Sequence, residues 1–102
     1  MKTKVSIVEC DSYDEDKVYQ AVKKSLKDID FKFKKNLNVL IKPNILNAKK
    51  PDDHVTTHPT MVDAVCRILK ENNCKITIGE SSGSEDTQEA LEVAGMVDVA
   101  KK

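Results

Sequence analysis

The run Val39-Leu40-Ile41, three apolar residues soon closed by Pro43, most limits what this chain can fold into. A strand with one wet face alternates apolar and polar residues. This run does not alternate, so it reads as a strand covered on both faces, as in a parallel sheet flanked by helices. Proline cannot donate to a ladder, so Pro43 ends the strand. Two further short segments read as strands: Val5 to Val8 ahead of it and Ile76-Thr77-Ile78 behind it. Helical spacing fills the intervals. Val18, Ala21, Val22, Leu26 and Ile29 form one stripe, and Met61, Val62, Val65, Cys66, Ile68 and Leu69 a second. Ala90, Leu91, Val93 and Ala94 begin a third, which Gly95 stops. Ser12 with Glu15 and Asp86 with Glu89 have capping-box spacing, in which two side chains satisfy orphan donors at a helix start. Thr57 is the expected cap of the second helix, with Pro59 in the first turn, where its missing N–H costs nothing.

Strands alternating with helices imply parallel pairing through crossovers. The expected fold is α/β, a three-layer, mostly parallel sheet of about three strands in β-α-β-α-β-α order, a Rossmann-like fragment. Residues 1–102 are expected to form a single domain, the amino-terminal portion of a longer protein.

Lys plus Arg equals Asp plus Glu at 17 each, so no global field draws the chain to nucleic acid or an anionic membrane. No segment approaches the roughly 18 apolar residues of a membrane span. Lys2, Lys4, Ser6 and Glu9 interrupt the start, which therefore lacks the apolar block of a signal peptide. Cys10, Cys66 and Cys74 are scattered, which fits a reducing compartment and a cytoplasmic protein. Cys66 falls on an apolar stripe and reads as core; Cys10 is the candidate reactive thiol. The spacing of these cysteines does not match the closely set thiolates of a ferredoxin-like segment, so this chain is expected to hold no iron–sulfur cluster. Phe31 to Lys35 interleaves aromatics with lysines and reads as a solvated connection rather than a nucleic-acid surface.

In open parallel sheets, ligands bind beyond the carboxyl ends of the strands. That edge should collect Glu9, Cys10 and Asp11 after the first strand, then Lys42 and Asn44 after the second. Thr57 and His58 arrive there at the second helix start, and Glu80, Ser81 and Gly83 follow the third strand. Lys42 would pair with an anionic group, and Asn44 would orient it. The helix starting at Thr57 would offer free N–H groups, and the Ser81–Gly83 backbone would line the site. His58 and Glu80 are the acid–base candidates. Glu9, Asp11 and Glu80 put negative charge on the same edge, a conflict that a divalent cation bridging to a phosphate would resolve. Each feature also has a plainer reading as a strand end, a helix cap or an ordinary turn. The 79–83 loop lacks both the dinucleotide fingerprint and the P-loop pattern. His54 and His58 have metal-ligand spacing only on a helix; β-branched Val55, Thr56 and Thr57 argue for an extended segment, so no metal site is expected.

Val39-Leu40-Ile41-Lys42-Pro43-Asn44, Thr56-Thr57-His58-Pro59 and Ile78-Gly79-Glu80-Ser81-Ser82-Gly83 resemble, in order and spacing, the family catalogued as domain of unknown function 362. Glu80 stands where the family usually has aspartate, and Ser82 where proline is frequent. The resemblance covers roughly residues 37–95. It implies a prokaryotic protein of a family whose members often carry a ferredoxin-like segment with four-iron–four-sulfur clusters after the core domain. The combined expectation is a domain that binds a small phosphate- or carboxylate-type anion at the carboxyl edge of its sheet, within a redox-associated iron–sulfur protein. The alternative is a non-catalytic module that docks a ferredoxin-like partner or another subunit.

Overall fold

Asp14 opens the first helix. Its carboxylate accepts the N–H of Lys17 at 3.0 Å, and Glu15 and Asp16 follow where the helix dipole favours negative charge. In the computed structural model, which describes residues 2–45, 49–54, 56–79 and 87–102, this helix (α1) runs Glu15–Asp28. The capping box expected from Ser12 and Glu15 does not form. Ser12 Oγ accepts the N–H of Asp14 instead, at 3.3 Å, because Asp14 already occupies the cap. The other capping box begins at Asp86, outside the described residues.

Strand β1 (Asn38–Ile41) is followed by a single 3₁₀ turn at Pro51–Asp53 and by α2 (Pro59–Glu71). Strand β2 (Lys75–Ile78) and two short helices, α3 (Thr87–Val93) and α4 (Met96–Ala100), complete the order. Both long helices end in the same way. Asp30 and Asn73 adopt left-handed backbone (φ 60° and 55°), which lets Phe31 N–H reach Leu26 O at 2.9 Å and Cys74 N–H reach Leu69 O at 3.1 Å.

The strands pair in parallel, Val39 opposite Ile76 and Ile41 opposite Ile78. Parallel pairing of these two runs is as the sequence leads one to expect; the rest of the sheet differs. Among the described residues it holds two strands rather than three. Val5 to Val8 does not join it. That segment runs alongside α1, with Lys4 paired to Asp30 and Ser6 Oγ bonded to Asp28 at 3.1 Å, while Val5 and Ile7 stand 81% and 93% exposed. A period-two pattern favours extended backbone, but a strand also needs a ladder partner, and the side chains here find theirs on the helix. Among the described residues, the sheet is also covered on one face only. Val39, Ile41, Ile76 and Ile78 are half-buried, whereas Asn38, Leu40, Lys75 and Thr77 are exposed, Leu40 at 64%. The architecture of the described residues is thus a mixed fold of four helices on a small parallel sheet.

Helix α2 sits between two apolar clusters. Val62 and Cys66 join Ile45, Ala90, Ala94, Met96 and Val99, against which Ile41, Ile76 and Ile78 pack. Ala64 and Ile68 join Val18 and Tyr19 of α1. Complete burial of a side chain such as Leu69 or Met96 contributes about 1.5–3 kcal/mol, against about 0–1 for an exposed ion pair. Packing around α2 therefore holds the fold, and surface charge decorates it.

Gly95 makes the corner between α3 and α4 at φ +85°. A Cβ there would lie 3.1 Å from Pro59 Cγ, at the start of α2. Gly95→Ala should therefore destabilise the domain by about 1–2 kcal/mol through left-handed backbone alone, with the Pro59 contact adding to it. Urea unfolding of the two proteins measures this, and an unchanged midpoint would contradict the corner's geometry.

Candidate functional site

The carboxyl edge of the sheet is assembled by a two-way bond. Asn44 N–H donates to Thr57 Oγ1 at 2.9 Å, and Thr57 N–H donates to Asn44 O at 3.0 Å. These bonds clasp the segment leaving β1 to the segment entering α2, thirteen positions later. Beside them, Gly79 N–H donates to Ile41 O at 3.0 Å, so the chain leaving β2 starts at the same edge. Lys42 and Asn44 are exposed there, and Pro43 and Ile45 are buried beneath. Two of the three expected motifs thus meet, and the third sets out next to them. Glu80, Ser81 and Gly83 themselves lie outside the described residues.

Thr57 does not cap α2. The cap is His58, whose Nδ1 accepts the N–H of Thr60 at 3.2 Å and lies 2.9 Å from Thr60 Oγ1. Thr57 is already committed to Asn44, and the imidazole, one residue nearer the helix, reaches the first turn in its place. This changes what the helix start can offer an anion. Pro59 has no N–H, Thr60 N–H goes to the imidazole, and Met61 N–H goes to His58 O at 3.0 Å. The amides of Thr60 and Met61, expected to face a ligand, are taken by the helix's own cap, which leaves the start of α2 its dipole and fewer donors.

The His58 ring is fixed by a partner that sequence reasoning missed. Tyr13, just ahead of α1, stacks on it with centroids 3.6 Å apart and planes 5° from parallel; His54 lies 6.3 Å from the same tyrosine. Only an aromatic residue abutting the Asp14 cap hinted at this, and nothing local to the sequence names its partner. Burial lowers the His58 pKa from its ordinary value, with Asp52 pulling the other way and His54 adding to the lowering. Nδ1 accepts from a backbone N–H, so the neutral ring carries its proton on Nε2.

With no strand to carry them to this edge, Glu9, Cys10 and Asp11 line a cavity of about 520 Å³ along α1; Cys10 and Asp11 also line a second, of about 430 Å³, with Tyr13 and Met61, and Asp11 pairs with Lys17 at 3.6 Å. Asp11 is thus matched by Lys17, and Asp52 adds a carboxylate near His58. His54 closes the 3₁₀ turn in left-handed conformation and His58 precedes α2, so the two share no helix face. Cys66 is buried in the core, which pushes its thiol pKa up. Next to the clasp, Thr56 Oγ1 is buried with no hydrogen-bond partner among the described residues.

A family model, Domain of unknown function (DUF362), matches residues 39–102, more than half of the chain, and the chain belongs to that family. The match begins at β1 and includes both halves of the clasp. No curated protein and no solved structure matches the chain. No helix among the described residues is long and apolar enough to cross a membrane.

A histidine whose folded pKa lies below its unfolded value contributes stability that is complete above the unfolded value and is lost as pH falls through the folded one. His58→Asn retains a capping side chain but cannot titrate. The wild-type protein should lose stability relative to this variant as pH drops below about 6.5. Urea unfolding at neutral and mildly acidic pH tests the sign, with an NMR titration of the His58 ring alongside; a gain on acidification would refute it.

Proposed function

We propose that this member of the DUF362 family is a ligand-binding domain that takes a small phosphate- or carboxylate-type anion at the carboxyl edge of its sheet. The Asn44–Thr57 clasp carries the reading, because it sets Lys42, Asn44, Thr57 and His58 on one rim where the chain from Gly79 also begins. The buried, unpartnered hydroxyl of Thr56 beside it supports the same reading. Leaving such a group unmet costs about 1–3 kcal/mol, which a bound oxyanion or its water would recover.

Lys42 supplies the charge, and a charge-assisted hydrogen bond is worth about 1.5–3 kcal/mol. Millimolar affinity needs about 4 kcal/mol, and the Thr60 and Met61 amides of α2 are already engaged. The balance falls to Asn44 and to the Ser81–Gly83 backbone, with Glu80 close enough in sequence to favour a bridging divalent cation. The expected affinity is about millimolar, that of a domain completed by more than this rim. His58 suits the acid–base role poorly in this state, because Nδ1 is held by Thr60 and one ring face is covered by Tyr13.

The wider setting we propose, a redox-associated iron–sulfur protein, rests on the family resemblance. The chain's own residues do not fit a four-iron–four-sulfur cluster, which needs four thiolates where this sequence has three cysteines, one of them buried in the core. Any cluster would be held outside residues 1–102.

Phosphate, simple carboxylates and nucleotides, with and without Mg²⁺, should raise the melting temperature. At about ten times Kd the stabilisation is about 1.4 kcal/mol, or roughly 5–10 °C for a domain of this size. Lys42→Ala should abolish the shift. Thr56→Val should weaken it while leaving the unliganded protein equally or more stable. No shift with any of these compounds would defeat the reading in favour of a docking module.

A further inference from the structure

We propose that the opposite end of the molecule, at the amino edge of the sheet, is a docking groove for an acidic polypeptide segment carrying one large apolar side chain. The groove, about 760 Å³, lies where the carboxyl ends of α1 and α2 meet the 29–37 connection. Its apolar lining is Leu26, Phe31, Phe33 and Ile68. Phe33 packs on the α1–α2 core, while Phe31 stands 47% exposed, edge-on to Phe33 with centroids 5.1 Å apart. The seat is built by the fold's own bonds. Phe31 follows the left-handed Asp30, and its N–H is fastened to Leu26 O, so the turn that ends α1 also sets the aromatic in place.

Charge identifies the occupant. Lys23, Lys27, Lys32 and Lys35 border the groove, against two acids. Both acids are matched within the fold: Asp30 pairs with Lys4, and Glu71 accepts the Tyr19 hydroxyl and pairs with Lys23. Lys27, Lys32 and Lys35 form no ion pair with a described residue, so the groove is locally cationic on a chain of zero formal net charge. Exposed ion pairs are individually weak, so charge alone would not hold a partner; a buried aromatic or large aliphatic anchor supplies what they lack. Nucleic acid would need a broader basic surface, since its affinity comes from many phosphate contacts. A single small carboxylate brings no apolar group for the Phe31 seat. An acidic chain with an anchor meets the seat and several cations together. The groove is separated from the carboxyl edge by the length of α2, so it stands or falls independently of the anion-binding reading.

The test uses the full chain and a labelled short peptide with glutamates and aspartates around one tryptophan. Fluorescence anisotropy should show binding that weakens as salt rises. Amide shifts should map to Phe31, Lys32 and Phe33. Phe31→Ser and the pair Lys32→Glu with Lys35→Glu should each weaken binding about tenfold or more, and far-UV circular dichroism should show that both variants remain folded. A peptide with lysines for its acids, or serine for its tryptophan, should bind far less. Dodecanoate serves as the amphiphile control. No shifts at Phe31–Phe33 at about millimolar peptide, equal binding of the serine peptide, or occupation of the groove by dodecanoate but not by peptide would each overturn the proposal.

Discussion

Helix α2 is asked to be apolar on two sides at once, and the rest of the structure follows from that demand. Val62 and Cys66 face the sheet-side cluster, Ala64 and Ile68 face α1, and Leu69 is fully buried. A helix with one apolar stripe would serve a two-layer fold and leave its back to water. This one leaves so little polar surface that Asp63, at 6% exposure, is buried as well, with the ammonium of Lys102 3.7 Å from its carboxylate. Packing on both flanks fixes the position of both ends of α2, and each end then organises a different surface.

At the amino end, local bonds compete with any ligand for the same donors. An anion site on a helix start needs amides that nothing else satisfies. Here Pro59 removes one and the His58 side chain and carbonyl take two more. What α2 gives the rim is therefore position rather than donors. Its anchored start holds Thr57 against Asn44, and thereby brings the polar segment after β1 to the place where the chain from β2 emerges.

These two surfaces were unequally legible in the sequence. Helix periodicity and the parallel pairing of Val39–Ile41 with Ile76–Ile78 follow from local patterns, and Gly95 marks its corner as a glycine should. Caps were misplaced by one or two residues because neighbours compete: Ser12 and Asp14 can both cap, as can Thr57 and His58, and only the finished packing decides between them. Val5 to Val8 has the residues of a strand, yet pairing is a property of two segments, and Lys4 and Ser6 found α1 first. The triplet Val39-Leu40-Ile41 announces apolar surface without saying what covers it, and Leu40 remains open. The convergence of Asn44 and Thr57 was visible from topology. The stack of Tyr13 on His58 was not, since it joins segments forty-five positions apart (58 less 13) with no pattern linking them.

The relative sizes of the forces make both surfaces separable from stability. The ion pairs along α1, Lys24 with Asp28 and Arg67 with Asp16 among them, are exposed and worth about 0–1 kcal/mol each. At Tyr19 the ring is buried but the charges around its hydroxyl face water: the hydroxyl bond draws the Glu71 pKa down, and Lys23 is raised by the same phenol. Each buried apolar side chain around α2 outweighs such a pair. A lysine at either end can therefore be exchanged with little effect on folding, whereas a change to Leu69 or Met96 would reach every surface at once. The same difference in magnitude leaves the polar rim and the lysine-bordered groove free to vary their chemistry on a helix packed on two sides.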